Sequence, residues 1–305
     1  MDAPFASKRK IRYSTSSVIF YVLCYSVITL IAAMCFFPFI LLISASFSTD
    51  MLVRLHGFSI LPQGFNTDAY EMIFRFPTRV IRAYGVSIYV TVVGTFLGLF
   101  LITMTSYVIS RKSFKYRNRI AFFFYFTTLF NGGMVSTYIY YIRYLGWRDS
   151  YFALIFQGIF TVFHMLIMRS FISAVPTATI ESAKIDGAGE FRIFLQIVVP
   201  LIPSALATIG LFKALQYWND WYNAMLYINS VDKYPLQYML YDLLNRAAAL
   251  AEIAAMGGSV QLPDNLPALS LRMAMAVVAT GPIVLVYPFV QRFFIKGITI
   301  GSVKG

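Results

Sequence analysis

Charge is scarce in this chain, and what it lacks closes off several classes of function. Only 12% of its 305 residues are Asp, Glu, Lys or Arg, against 59% hydrophobic and 17% aromatic residues. Soluble domains carry about 25% charged and about 45 to 50% apolar residues, so the composition is that of an integral membrane protein. There are 2 histidines and 2 cysteines. His56 and His164 are isolated, and without a Cys/His cluster no zinc or other metal site is expected. Cys24 and Cys35 fall in one apolar run, where a helix would hold their Cα atoms roughly 16 Å apart, too far for a disulfide. They read as small apolar side chains. No Gly-rich phosphate loop ending in Lys-Ser/Thr is present, so no nucleotide-hydrolysing site of that kind is expected in this chain. The net charge of +12 comes from bases placed around hydrophobic runs, which points to membrane orientation rather than nucleic acid.

Long apolar runs are what the chain has instead. Six of them, at about 18–43, 84–109, 120–142, 151–171, 197–215 and 269–294, are each long enough to be read as a helix crossing about 30 Å of hydrocarbon. Lys8, Arg9, Lys10 and Arg12 precede the first, and Arg111, Lys112, Lys115, Arg117 and Arg119 crowd the link between the second and third. By the positive-inside rule both segments are cytoplasmic, and with an even number of crossings both termini are too. The first run is too long for a secretory signal core and reads as an uncleaved anchor. The expected organisation is a cytoplasmic segment 1–17, a membrane domain 18–295 with outer loops 46–82 and 217–267, and a cytoplasmic tail 296–305. No soluble domain, internal repeat or low-complexity tract interrupts it.

The stretch 181–203, ESAKIDGAGEFRIFLQIVVPLIP, lies between the fourth and fifth runs and is not needed merely to cross a bilayer. Pro176 and a capping Thr177 predict a short helix through Ile185. Gly187 and Gly189 then permit a sharp reversal into a second helix from Glu190. Ile180 and Ala183 share one face of the first helix, and Phe191 and Phe194 one face of the second. Such a hairpin, at about 176–195, suits either a groove in a partner protein or a lipid surface.

Glu181, Ala183, Gly187, Ile197 and Pro200 stand at the spacing of the cytoplasmic signature of permease subunits in binding-protein-dependent ABC importers. The whole chain resembles the carbohydrate-uptake, maltose-type branch, above all the subgroup handling complex or oligomeric sugars. Phe130-Asn131-Gly132-Gly133-Met134, Tyr217-Trp218-Asn219-Asp220-Trp221-Tyr222-Asn223 and the tail Lys296-Gly297-Ile298-Thr299 with Gly301-Ser302-Val303-Lys304-Gly305 carry the same resemblance. Ser182, where the family often has alanine, and Val199, in place of the common leucine, depart from the pattern conservatively. The resemblance implies an all-α fold of six transmembrane helices with a cytoplasmic coupling helix-turn-helix, the type I ABC importer permease fold. It implies a non-catalytic subunit of the bacterial plasma membrane that forms half of an import path for a carbohydrate, an oligosaccharide in this subgroup. The implied partners are a second homologous permease, two ATP-binding subunits that hold ATP and Mg, an extracellular solute-binding protein and the lipid bilayer; the chain itself holds no cofactor. Glu181, Ala183, Asp186, Gly187, Phe191, Phe194 and Pro200 are the implied coupling residues, with the glutamate touching the ATPase and the glycine making the turn.

A sugar path needs polar groups facing the bundle interior. Asn131, His164, Asn219 and Asp220 are the candidates, with Thr137 weakened because its hydroxyl can bond its own helix. His164 fits a packing role as well as a path role. Trp218 and Trp221 fit an interfacial aromatic belt as well as a sugar-stacking cluster. Gly94 and Gly98 have the spacing that lets membrane helices approach closely. The outer run 236–256, followed by Gly257, Gly258, Pro263 and Pro267, corresponds in the family to a loop that touches the solute-binding protein. A membrane enzyme acting on lipid-linked glycans would need converging acids, and Asp220 has no partner carboxylate nearby in sequence. A channel or secondary carrier would need ionisable groups at the span centres, which are almost free of them.

Overall fold

The computed structural model describes residues 15–130, 132–255 and 268–302. Among them the regular structure is helical, apart from an isolated bridge between Ser48 and Phe65. In chain order, α1 (Thr15–Ser46) is the first span, two short helices α2 (Asp50–His56) and α3 (Asp68–Phe74) follow, and α4 (Pro77–Ser110) is the second span. The third is made of α5 (Arg117–Leu129) and α6 (Gly133–Ile139), the fourth of α7 (Tyr151–Gln157) and α8 (Val162–Ser173). Next come α9 (Thr177–Ile185) and α10 (Glu190–Ile193), then a π-helical turn over Phe194–Val198 and α11 (Val199–Leu201), which lead into the fifth span, α12 (Pro203–Trp218). Beyond it lie α13 (Tyr222–Tyr227), α14 (Leu236–Ala255) and the sixth span, α15 (Ala268–Ser302).

Three spans are continuous: α1, α4 and the first part of α15, Leu269–Pro288. α4 begins at Pro77, where a proline costs no hydrogen bond because first-turn amides lack an intrahelical partner. The other three spans are bent pairs rather than the single helices expected from the apolar runs: α5 and α6 with its π-helical extension through Tyr144 at 109°, α7 and α8 at 53°, and Glu190–Leu201 with α12 at 87°. Local chemistry accounts for each. Gly133 has φ +80, a left-handed angle that favours glycine. Gly158 ends α7 and Thr161 is extended before α8. Ile202 is driven out of helical geometry (φ −120, ψ 39) by the following Pro203, whose ring disfavours the α region for its predecessor. The fifth span proper is therefore 16 residues, about 24 Å at 1.5 Å per residue.

α4 is the hub, lying against both α8 and α12, while α12 also contacts α15 and α1 packs on α15. Close approach is achieved by deleting side chains. A Cβ on Gly94 would come within 2.6 Å of the Tyr217 ring, and one on Gly98 within 2.6 Å of the Ile159 carbonyl oxygen. Interhelical hydrogen bonds add direction: Tyr217 Oη donates to the Ile155 carbonyl at 2.7 Å and Trp218 Nε1 to the Ala279 carbonyl at 3.0 Å. Most of α1, including Phe20, Leu30 and Phe36, is apolar and exposed, as a helix surrounded by lipid or by a second membrane subunit should be. At the end opposite the hairpin, Asp50 accepts from the amides of Leu269 (2.6 Å) and Ser270 (3.1 Å), satisfying first-turn donors of α15 from a different element.

Candidate functional site

α9 starts at Thr177 with Pro176 in the capping position and no side-chain cap, so Thr177 is the first helical residue and not the cap. Its far end closes by a two-bond C-terminal motif. The Ala188 amide donates to the Ala183 carbonyl (2.9 Å) and the Gly187 amide to the Lys184 carbonyl (3.0 Å). That geometry requires a left-handed residue between them, and Gly187 supplies it at φ +79. Gly189 sits at φ −70, ψ 156, a conformation open to any residue. One glycine makes the reversal, not two.

The hairpin has an inner and an outer face. Ile180, Ala183, Ile193 and Phe194 belong to the buried cluster that includes Ile102, Met168, Ile172 and Val198 from the spans. Phe194 is 2% exposed, with its ring centroid 5.5 Å from that of Tyr107 and 6.3 Å from that of Phe100. Phe191 and Phe194 do lie side by side, with ring centroids 6.3 Å apart, but at different depths: Phe194 is in the core while Phe191 stays 60% exposed. Glu181, Asp186 and Gly187 are outward, as is Ile185 at 86% exposure. Pro200 is exposed in α11, just before the bend into α12.

Glu190 clamps the second arm. One of its oxygens meets Lys184 Nζ at 2.5 Å and the other accepts from the Tyr107 hydroxyl at 2.5 Å, so α9, α10 and α4 are tied through one carboxylate. Beside α9 a cleft of about 480 Å³ is bounded by the link after α4 and the end of α8. Arg111, Lys112, Arg117, Arg169 and Lys184 line it together with Glu181. The basic link and the hairpin thus occupy the same end of the bundle.

The polar candidates for a path are not brought into one cluster. Asn131 lies outside the described residues. His164 is buried in α8 with its ring nearly parallel to Phe212 at 5.9 Å, and its Nδ1 finds no hydrogen-bond partner among the described residues. Thr137 bonds back to the Gly133 carbonyl at 2.9 Å. Asn219 is exposed, its Oδ1 accepting from Gln237 at 3.4 Å. Asp220 accepts from the Asn223 amide (3.1 Å) and side chain (2.8 Å), holding the start of α13. Burial raises its carboxyl above the ordinary range even against these bonds. Trp218 is not in an interfacial belt: it is buried and bonded to α15, whereas Trp221 stacks on Tyr241 at 4.2 Å.

Sequence reasoning missed Lys213. It lies mid-way along α12, fully buried, and bonds to the interruption in the fourth span. Its signal was present, a lysine inside an apolar run, which by default marks a functional residue. Also unforeseen is Asp149, a non-glycine residue at φ +55 that accepts from the amides of Asn229 (3.0 Å) and Ser230 (2.9 Å) and from Lys233 (2.9 Å). Burial alone would raise its carboxyl, but these bonds and that of the Ser230 hydroxyl hold it well below the usual carboxylate range.

No protein-family model matches the chain. It is 39% identical over 289 residues, 94% of this chain and 99% of the relative, to the polygalacturonan/rhamnogalacturonan transport system permease protein YtcP of Bacillus subtilis. It is 38% identical over 275 residues, 90% of this chain and 91% of the relative, to protein LplC of the same organism. Among solved structures it superposes on a chain of a bacterial ABC transporter involved in the import of the acidic polysaccharide alginate, with a TM-score of 0.73 and 27% identity, covering 93% of this chain and 100% of that one. A bundle of continuous and bent apolar spans, carrying an inwardly anchored hairpin and matching these permeases over nearly its full length, belongs to the membrane-spanning, non-catalytic permease subunits of carbohydrate ABC importers.

Proposed function

We propose that this subunit pairs with a second homologous permease to enclose the path, receives an oligosaccharide from an extracellular solute-binding protein, and is driven through its hairpin by two ATPase subunits that hold ATP and Mg. The observation that carries the coupling role is the hairpin's two-faced construction. Its inner face is welded to the spans by Ile180, Ala183, Ile193 and Phe194, so force on its outer face moves α8 and α12 rather than bending a loop. Glu181, Ile185, Asp186 and Phe191 are all exposed, two apolar side chains and two acids of the kind a partner's groove can take. Ala183 and Phe194 contribute as anchors, Gly187 as the turn, and Pro200 at the entrance to the bend before α12. The basic link and the hairpin at one end favour a cytoplasmic location for that end and for both termini.

We further propose that the cargo is an oligosaccharide rich in uronic acids. Relatives named for polygalacturonan/rhamnogalacturonan transport and alginate import support this. So does the far end of the bundle, where the half-buried Tyr141 and Trp147 stand with ring centroids 5.4 Å apart, backed by the buried Tyr227 at 5.5 Å from Tyr141. Asp149 pins the turn after Trp147 to the 229–233 segment, and Arg143 and Arg148 are exposed in the same stretch. Aromatic faces suit sugar C–H faces, and guanidinium groups suit carboxylates. His164, Asn219 and Asp220 remain the candidates further along the path, with Asn131.

The test is reconstitution with all partner subunits in proteoliposomes. Glu181→Ala should abolish uptake driven by ATP while the membrane subunits still assemble, and oligogalacturonate should be imported in preference to a neutral oligosaccharide of equal length. Normal coupled uptake in Glu181→Ala would refute the hairpin assignment, and preference for the neutral sugar would refute the cargo assignment.

A further inference from the structure

The fourth span is broken at 158–161 between α7 and α8, and at membrane depth the backbone groups freed by such a break must find partners inside the protein. Lys213, on the neighbouring α12, reaches into this gap. Its Nζ donates to the Gly158 carbonyl, to Thr161 Oγ1 at 2.8 Å and to Gln216 Oε1 at 3.3 Å. An ammonium has three hydrogens, and three acceptors stand within reach. The residue is 0% exposed and appears in none of the ion pairs among the described residues. It faces instead the Gly158 carbonyl at the C-terminal end of α7, where helix dipoles favour a cation.

The surroundings make this a junction rather than a single contact. One turn along α12, the Tyr217 hydroxyl donates to the Ile155 carbonyl at 2.7 Å. On the other side α4 presses against the same break through Gly98, where a Cβ would come within 2.6 Å of the Ile159 oxygen. A methionine would fill the space of the lysine stem. The ammonium ties both sides of the break, Gly158 after α7 and Thr161 before α8, to the fifth span.

We propose that Lys213 is a positioning residue for transport, a charged tie that holds the 53° bend between α7 and α8 and makes the fourth and fifth spans move as one body. The inference rests on the hairpin being the ATPase contact, because α8 and α12 are the spans on either side of it. With the tie present, displacement of the hairpin is delivered to both spans. Without it, the bend at 158–161 flexes, the motion of α8 is absorbed there, and ATP is hydrolysed without import.

The experiment uses the full assembly in proteoliposomes and reads sugar imported per ATP hydrolysed, together with spin-label distances between Phe152 on α7 and Phe171 on α8, both exposed and replaced by labelled cysteine in a Cys24→Ser, Cys35→Ser background. Lys213→Met should still hydrolyse ATP but import about fivefold less sugar per ATP or worse, the scale of an ordinary coupling energy. Its α7–α8 distance distribution should broaden relative to the narrow wild-type one. Thr161→Val, which removes one acceptor and keeps the side-chain shape, should do the same to a smaller degree. A wild-type ratio and a narrow distribution in Lys213→Met overturn the proposal; if that variant does not assemble, the same result in Thr161→Val overturns it. Glu181→Ala separates the two readings. If it uncouples while Lys213→Met does not, the tie alone fails; if it transports normally, the hairpin reading fails first.

Discussion

The turn at Gly187 allows a cost to be worked out from the structure and then measured. At φ +79 an added Cβ meets nothing within 4 Å, so any penalty in this subunit is conformational and not a clash. Placing an L-residue in the left-handed region costs about 1–2 kcal/mol, which lowers the population of the correct turn by a factor of about 5–30. Gly187→Ala should sit near the lower value and the β-branched Gly187→Val at or above the higher one. Gly187→Asn should be milder than either, because its short polar side chain visits this region more readily. Gly189→Ala, at φ −70, is the control and should be neutral. The assay is the affinity of the detergent-solubilised permease for its ATPase subunit, with thermal unfolding of the permease alone to confirm that the spans are intact. An order of Val worst, then Ala, then Asn follows backbone preference. If Asn binds worse than Ala, loss follows side-chain size and reflects crowding against the partner; if Ala at 187 behaves like Ala at 189, the reasoning is refuted.

Gly94→Ala should destabilise the bundle by about 1–3 kcal/mol, the usual cost of overpacking, because the new methyl lies 2.6 Å from the rigid Tyr217 ring; an unchanged unfolding temperature in detergent would contradict the close approach of α4 and α12. Asp50→Ala should cost about 1–2 kcal/mol at pH 7 as a lost helix cap. Burial opposes ionisation of Asp50, yet the bonds from Arg54 and the Ser270 and Leu269 amides outweigh it and lower its pKa. A carboxyl lowered on folding stabilises above its unfolded pKa of about 3.9 and loses that contribution as pH falls through the folded value. The unfolding temperatures of wild type and Asp50→Ala should therefore converge below about pH 4, and a constant gap down to pH 3 would rule out the ionised cap.

Much of this protein was legible before any coordinates. The apolar runs announce a membrane bundle because only helices of about 20 residues satisfy their own backbone in lipid. The acids and glycine of 181–187 mark a hairpin that spanning alone does not need. Gly94 and Gly98 signalled a close approach, and the structure uses both. Other features depend on neighbours that are remote in the chain. Phe191 and Phe194 look equivalent by spacing and do lie side by side, but only Phe194 meets Tyr107 and Phe100 of α4 and is buried. Trp218 and Trp221 look like one belt, but only Trp218 finds the Ala279 carbonyl. An apolar run reports the composition of a span and not its continuity. Whether residues 158–161 can leave the helix depends on who receives the freed carbonyls, and Lys213 and Tyr217 do so from more than fifty positions away. The class, the six apolar runs and the place of the hairpin can be read from the residues alone, since these follow from local hydrophobicity and backbone preference. Local glycines and a proline permit the breaks, but which freed backbone groups are satisfied and which hairpin side chains face inward depends on neighbouring helices, because a polar group at membrane depth is tolerated only where another part of the protein supplies its partner.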